Sequence, residues 1–383
     1  MKIGENIVQY NFPTIIRFGK GVSDEIGSHL LSMGKKRALV VSDPGLTRLE
    51  LFEKLMGKIN QGQLEGVVFN GIDKNPIEKN VLDGVQAYKQ QGCDCIIGLG
   101  GGASMDVARA IALKANHDRD LFDFDDAKGG DKYVVNEIPY FITVPTTSGT
   151  GSEVGRSTVI SDNITKQKKV LFSPELMAKR VFADPELTME LPGFITAATG
   201  MDALSHNLEA YFSKGFSPLC DGIALEGIRL IFDSIEKATC SPDLESRSKM
   251  MMAALMGATA FQKGLGIVHS MAHPLSTLYD THHGLANALM LRYGVEFNAN
   301  ACEDRIRNIC QLIGIDPSVD CFLSHLESLN KNIEMPLNLK DAGIAEPDID
   351  KLSQLALEDV CHQCNPVEVS LEDFKNIYKK AQG

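Results

Sequence analysis

Four of the nine histidines in this 383-residue chain fall within one short stretch, His269-Ser-Met-Ala-His273-Pro-Leu-Ser-Thr-Leu-Tyr-Asp-Thr-His282-His283. Imidazole both ligates metals and exchanges protons near neutral pH, so two kinds of chemistry are open to such a cluster. His269 and His273 are four apart, which puts them on one face of a helix. His282 and His283 are neighbours, and neighbouring helical residues diverge, so only one of them faces a given centre. Farther back, Gly200-Met-Asp202-Ala-Leu-Ser-His206 sets a carboxylate and an imidazole four apart, close enough to grip one ion. The same spacing also serves a plain surface pair. One carboxylate with three imidazoles would make an oxygen/nitrogen donor set without sulfur, suited to Fe2+, Zn2+, Ni2+ or Mn2+. A single anionic ligand leaves such a site net positive, which pushes a bound alcohol toward the alkoxide that expels hydride.

A second group of residues suits phosphate. Gly98-Leu-Gly-Gly101-Gly102-Ala103 joins an apolar run to an amphipathic one, and its three consecutive glycines let backbone N–H groups approach an anion at a helix N-terminus. The G-x-G-x-x-A match is weak as a dinucleotide fingerprint, because that fingerprint belongs to the first strand–helix turn and this turn comes later. Tight packing alone is the competing explanation for the glycines. Val144–Val154, "VPTTSGTGSEV", is a second small-residue turn whose Thr146, Thr147, Thr150 and Ser152 hydroxyls suit a phosphate or an amide-bearing ring, and it is not a Walker loop. Asp43, ending "RALVVSD", is placed to accept hydrogen bonds from a ribose diol, which would favour NAD over its phosphorylated relative; a turn role is the alternative.

The elements that must position these residues read in two blocks. Apolar runs at 37–43, 66–72, 93–100 and 140–147 predict buried strands, with helical periodicity between them. Strands apolar on both faces imply a parallel sheet covered on both sides. Beyond about residue 190 the strand signals stop and long helical patterns follow. The expected architecture is an α/β domain over 1–190 with a Rossmann-like parallel sheet, and an all-helical domain over 191–383. A hydrophobic content of 44% supports a sizeable core, while a net charge of −12 argues against a general binder of nucleic acid or anionic membrane. The N-terminus has no apolar signal region, and nothing reaches the roughly 18 apolar residues of a membrane span, so a cytoplasmic location is expected. Nine cysteines without framework spacing fit a reducing compartment. Cys361-His-Gln-Cys364 is formally a C-x-x-C, but no second pair follows to complete a zinc knuckle, and incidental thiols are the simpler reading.

The segments "GGGASMD", "VPTTSGTGSE", "DPELT", "TAATGMDALSH" and "HSMAHPLSTLYDTHHGLANALML" resemble, in order, the signatures of the iron-containing (group III) alcohol dehydrogenase family, and the likeness extends from about residue 18 to 366. It implies the dehydroquinate-synthase-like architecture, with an α/β dinucleotide domain and a helical metal domain. It also implies reversible hydride transfer between a small alcohol, or its aldehyde or ketone, and NAD(H). The resemblance makes Asp202, His206, His269 and His283 the ligands of a divalent metal, iron(II) first, with zinc or another divalent ion as alternatives. His273 corresponds to a histidine that relays a proton near the nicotinamide. Asp43 corresponds to the acid at the adenine ribose, Asn75 to an asparagine beside the cofactor, and Gly101, Gly102 and Ala103 to the pyrophosphate turn. Thr146, Thr147 and Thr150 match the threonine loop along the phosphates and nicotinamide, and Lys168 matches a cofactor-contacting lysine. A homo-oligomer is likewise implied.

Several positions depart from the family pattern. Ala103 stands where serine is usual, and His282 where proline commonly precedes the last ligand. Arg292, Tyr293 and Val367 replace other usual residues, so substrate identity does not transfer. Two other readings share parts of this sequence. One is a dehydroquinate-synthase-like lyase using NAD transiently, for which the motifs offer few basic residues. The other is a non-catalytic metal protein, which leaves the glycine and threonine turns without a purpose.

Overall fold

The computed structural model describes Tyr10, Phe12 and residues 14–60, 62–164 and 167–383; the start of the first expected domain, residues 1–9, lies outside the described residues. The chain divides into two compact units, Phe12–Thr147 with Ser152–Met189, and Ser148–Gly151 with Glu190–Gly383.

Among the described residues the first unit holds eight strands: β1 (Ile15–Phe18), β2 (Arg37–Val41), β3 (Glu65–Phe69), β4 (Cys95–Gly100), β5 (Tyr140–Pro145), β6 (Ser157–Ser161), β7 (Lys168–Phe172) and β8 (Arg180–Ala183). Six form one sheet in the order β1-β8-β5-β4-β2-β3, every pairing parallel, while β6 and β7 make a separate antiparallel pair. Side chains alternate between the two sheet faces. Ala38, Val40, Ile97 and Leu99 pack on one side with α1 (Ile26–Ser32) and α2 (Glu50–Ile59). Leu39, Val41 and Ile96 pack on the other with α3 (Glu78–Gln90) and α4 (Gly102–Ala115). All six residues of β4 are buried, as a strand covered on both faces must be. The chain passes from β2 outward to β3 and then back across to β4, so the order reverses between β2 and β4. In open parallel sheets, ligands bind outside the carboxyl ends of the strands at that reversal. Residues 42–43 and 101–103 follow those two carboxyl ends.

The second unit is helical: α5 (Gly193–Phe212), α6 (Pro218–Cys240), α7 (Leu244–Ala260), α8 (Ile267–Tyr279), α9 (His283–Asn298), α10 (Glu303–Ile313), α11 (Val319–Asn332), α12 (Ile349–Glu358) and α13 (Leu371–Ala381). Helix α5 is its axis, buried at every position from Thr196 to Phe212. An ordinary surface helix buries one stripe; this one is enclosed all round and yet carries Asp202, Ser205, His206, Asn207 and Glu209. Buried polar groups need partners. Ser205 donates to the Met201 carbonyl, and Asn207 to the carbonyls of Ala203 and Ala253. The remaining three look toward α8 and α9. Helix α8 runs through Pro274, whose ring nitrogen has no hydrogen to offer the preceding turn. Asp280, left-handed at φ 50, ends α8, and His282 then caps α9. Among the described residues no single helix is long and apolar enough to cross a membrane.

Candidate functional site

In the helical unit, Asp202 is the hub. Its Oδ1 lies 3.9 Å from His206 Nε2, 3.8 Å from His269 Nε2 and 3.4 Å from His283 Nε2. Asp202 and His206 come from successive turns of α5, His269 from the first turn of α8, and His283 opens α9. The rings of His206 and His269 stack with centroids 4.6 Å apart. Metal-binding atoms of Asp202, His206 and His269 all lie within 4.8 Å of one another, and all three residues are buried. Of the adjacent histidines, His283 is the one whose Nε2 reaches Asp202, while His282 occupies the cap.

Burial and the neighbouring carboxylates pull the proton affinities of the rings apart. Burial, opposed by the Asp202 charge, pushes His206 down to about 4, so its ring is neutral and keeps a lone pair. Burial works against a charge on His269, but the Glu209, Asp202 and Asp359 carboxylates together raise that ring's proton affinity, Glu209 most of all. Glu209 bonds His269 Nδ1 through Oε2 and accepts the Val268 N–H at 2.6 Å through Oε1. It thus ties α5 to the first turn of α8 and fixes the His269 tautomer, leaving Nε2 turned toward Asp202. A carboxylate behind a ligating imidazole is the usual outer support of a metal site. Asn287 Nδ2 donates to Asp202 Oδ1 at 2.7 Å and lies 3.4 and 3.2 Å from the Nε2 atoms of His269 and His283. An N–H donor is thus what the inward-facing lone pairs accept here, and a divalent cation suits the same lone pairs with more charge.

Glu209→Gln keeps the shape of this support and removes its charge. Its metal dissociation constant is expected to rise about 10- to 100-fold by chelator competition, with far-ultraviolet circular dichroism unchanged. Wild-type affinity in that variant would show that Glu209 serves only to cap α8.

His273 is placed differently. It follows His269 on the same face of α8, with ring centroids 5.9 Å apart, and its ring stacks on His283 at 5.3 Å. Its Nδ1 is turned away from Asp202 and meets Asp359 Oδ2 at 2.7 Å. Asp359 Oδ1 also accepts from Ser270 Oγ and from the Cys361 N–H, each at 2.8 Å. Burial alone would raise the Asp359 carboxyl, but the His273 charge and these hydrogen bonds hold it well below the usual carboxylate range. With Nδ1 engaged by Asp359, Nε2 is the ring nitrogen left for other partners.

In the sheet unit, Gly100 has φ 142, and a Cβ there would meet Ser104 Oγ at 2.5 Å, so only glycine fits the turn. Gly101 is the N-cap of α4, Gly102 its first residue and Ala103 its second. Asp43 stands alongside: its Oδ1 accepts from the N–H groups of Gly45 and Leu46, and Ser104 Oγ approaches its Oδ2 at 3.5 Å. It therefore shapes its own turn with one oxygen and faces the glycine turn with the other. The Thr146 N–H reaches the Gly100 carbonyl at 3.0 Å, and a Cβ on Gly101 would meet Thr147 Oγ1 at 3.4 Å, so the β4 and β5 turns adjoin. Asn75 lies in the segment between β3 and α3, and Lys168 opens β7 near enough to Asp106 to lower its proton affinity, against the dominant effect of burial. Thr150 parts from the other two threonines. It belongs to the 148–151 segment of the helical unit, where Gly149 fits against Thr199 and Gly151 (φ 59) against Ala254 and Ala258.

Sequence reasoning passed over Glu209, Asn287 and Asp359. Glu209 had a legible signal, since it lies three residues after His206 and seven after Asp202, on the same helical face. Asn287 follows His283 by four and was readable in the same way. Asp359 had none: it is the C-cap of α12, and its neighbour in space, His273, is 86 residues away.

One unit thus presents a glycine turn at a strand-order reversal, and the other a buried carboxylate ringed by imidazole nitrogens; a nucleotide-and-metal enzyme is the class these features define. Residues 13–185 match the sequence model of the iron-containing alcohol dehydrogenases, and residues 196–382 match that of the family's C-terminal part. The chain is 34% identical to an NAD-dependent methanol dehydrogenase of Bacillus methanolicus, over 98% of this chain and 100% of that one. A crystal structure of a 1,3-propanediol oxidoreductase superposes with a TM-score of 0.93 at 32% identity, covering 98% and 100% of the two chains. A sulfoacetaldehyde reductase of Bifidobacterium kashiwanohense, solved in complex with NAD+, gives 0.88 at 28% identity, covering 98% and 99%. The chain belongs to the iron-containing alcohol dehydrogenase family.

Proposed function

We infer that the protein is a metal-dependent alcohol dehydrogenase that moves a hydride reversibly between a small alcohol, or its aldehyde or ketone, and NAD(H). The observation that carries this is the Asp202 hub, one carboxylate oxygen within 3.4–3.9 Å of three imidazole nitrogens in a buried helical core. Asp202, His206, His269 and His283 are the residues to hold the ion, iron(II) by family, with Glu209 and Asn287 setting their orientation. When bound, such an ion polarises the substrate oxygen and offsets the charge that builds there as hydride leaves.

The other steps belong to the chain's own groups. His273 takes up the substrate hydroxyl proton on Nε2 and passes it to solvent, its ring held by Asp359. The backbone N–H groups at Gly101, Gly102 and Ala103 receive the pyrophosphate at the start of α4, with no serine hydroxyl at 103 to assist. Thr146 and Thr147 flank that turn, and Thr150, Asn75 and Lys168 are assigned to further cofactor contacts. Asp43 takes the adenine ribose.

Reconstitution with Fe2+, followed by a screen of short alcohols, diols and charged aldehydes with NADH and NADPH, tests the reading. No change at the reduced-nicotinamide band across that panel would defeat it. Asp43 Oδ2, which meets only the Ser104 hydroxyl at 3.5 Å among the contacts described, also makes a prediction. Asp43→Ser is expected to shift the NADH-to-NADPH ratio of kcat/KM about 10- to 100-fold toward NADPH, the scale of a lost charge-assisted hydrogen bond and a relieved repulsion. A wild-type enzyme that already prefers NADPH would remove that role. Nine free cysteines suit a reducing compartment, and we place the enzyme in the cytoplasm, acting on small molecules rather than on nucleic acid or membrane. By family likeness it works as a homo-oligomer, which light scattering on the purified protein checks.

A further inference from the structure

A second set of metal-binding atoms lies beside the first and uses different chemistry. The ligand atoms of His273, Asp359 and Cys361 all fall within 4.8 Å of one another. His273 comes from α8, Asp359 from the end of α12, and Cys361 from the single turn Cys361–Cys364 that follows. The arrangement is braced. Asp359 Oδ1 holds both the Ser270 hydroxyl and the Cys361 N–H, and Ser270 Oγ accepts the His362 N–H at 2.8 Å. The side chains of His273 and Asp359 are 29% and 18% exposed, so an ion can reach them from solvent.

The donors are one nitrogen, one oxygen and one sulfur. Three protein ligands with sulfur among them suit zinc or cadmium in tetrahedral geometry with a fourth position open. The Asp202 site offers no sulfur, so the two sites rank ions differently. Their charges also balance separately. A divalent ion at Asp202 faces the Asp202 and Glu209 carboxylates, and one at Cys361 would face the Asp359 carboxylate and a thiolate. The Asp359 and Glu209 carboxylates put negative charge around Cys361, which favours a cation there.

We propose that His273, Asp359 and Cys361 form a second, inhibitory site for a thiophilic divalent cation such as zinc. On binding, the Cys361 S–H bond breaks and its proton leaves to solvent, the His273 ring proton moves from Nδ1 to Nε2, and the thiolate and Nδ1 each bond the metal beside Asp359, with no change of oxidation state. His273 commits a ring lone pair to the ion and stops carrying protons. The inhibition rests on the role given to His273 above; the binding does not.

The test uses the iron-loaded enzyme, titrated with Cd2+ while the thiolate-to-cadmium charge-transfer absorption and the retained iron are both followed, with Zn2+ inhibition measured in parallel. Wild type is expected to gain a second ion and the thiolate band, to keep its iron, and to lose activity by about 10²-fold, the scale of a missing general acid–base group. Cys361→Ser and Cys361→Ala are expected to lose that increment of absorption and to stay active in zinc, and Cys364→Ser to behave as wild type. The same absorption in wild type and both Cys361 variants, or iron released in step with cadmium uptake, overturns the site. A Cys361-dependent band without loss of activity overturns the inhibition and, with it, the relay role of His273, while leaving the site in place.

Discussion

Asp202→Asn is expected to release the divalent ion and to lower kcat/KM by about 10³- to 10⁴-fold, the several kcal/mol that a Lewis acid contributes at a developing negative charge. The substitution is nearly isosteric, so packing inside the enclosed α5 changes little. What changes is the one carboxylate oxygen among the described residues that faces all three Nε2 atoms. A neutral amide brings no charge to set against a divalent ion, and the three imidazoles left would hold the ion at higher net charge in a buried place. The metal-free protein should show the opposite trend in stability. Asp202 is 2% exposed and has the Asn287 amide as its hydrogen-bond donor, so removing its charge relieves a desolvation cost. Metal content, turnover and melting temperature with and without iron separate these effects. Retained iron with wild-type turnover in Asp202→Asn would sink the assignment of the hub.

The clustering of Asp202 with the histidines was legible because helices make spacing into geometry. Asp202 with His206, and His269 with His273, each share a face by their four-residue separation, and the structure keeps both pairs together. Spacing could not say that the two rings of the second pair meet different carboxylates, Glu209 and Asp359. His273 turns toward Asp359, a residue that reaches it only through the tertiary fold. The sheet was legible where strands are apolar on both faces, as in β4, and illegible in β1, whose alternation of exposed and half-buried residues spans only Ile15–Phe18. Pro274 reads as a disturbance in the sequence, yet α8 continues through it, since losing one donor is tolerable in a helix packed by the whole unit. The threonine loop read as one piece, but its chain passes from one compact unit to the other after Thr147. Gly149 and Gly151 make that passage fit, because Thr199, Ala254 and Ala258 leave no room for a Cβ.

His273→Ala should separate proton transfer from metal binding. Its expected loss is about 10²- to 10⁴-fold in kcat, with metal content and cofactor affinity near wild type, because general acid–base catalysis contributes on that scale. If His273 were instead a ligand, iron would be lost along with activity, as in Asp202→Asn. The geometry argues for the relay: its Nδ1 is spent on Asp359 at 2.7 Å, and its ring lies against His283 instead of pointing at Asp202. On the proposed reading, stacking on His283 keeps the His273 ring next to the metal site without joining the coordination set. Alanine leaves room for a small base, so added imidazole is expected to restore part of the lost rate, which a purely structural role would not allow. Asp359→Asn provides the graded control. An amide oxygen can still accept the Nδ1–H and hold the ring, but the charge that stabilises the protonated imidazole is gone, and a loss of about tenfold in kcat follows from a charge-assisted hydrogen bond made neutral. Equal losses in the two variants would mean that Asp359 does more than orient the ring, and that the proton leaves through the carboxylate itself.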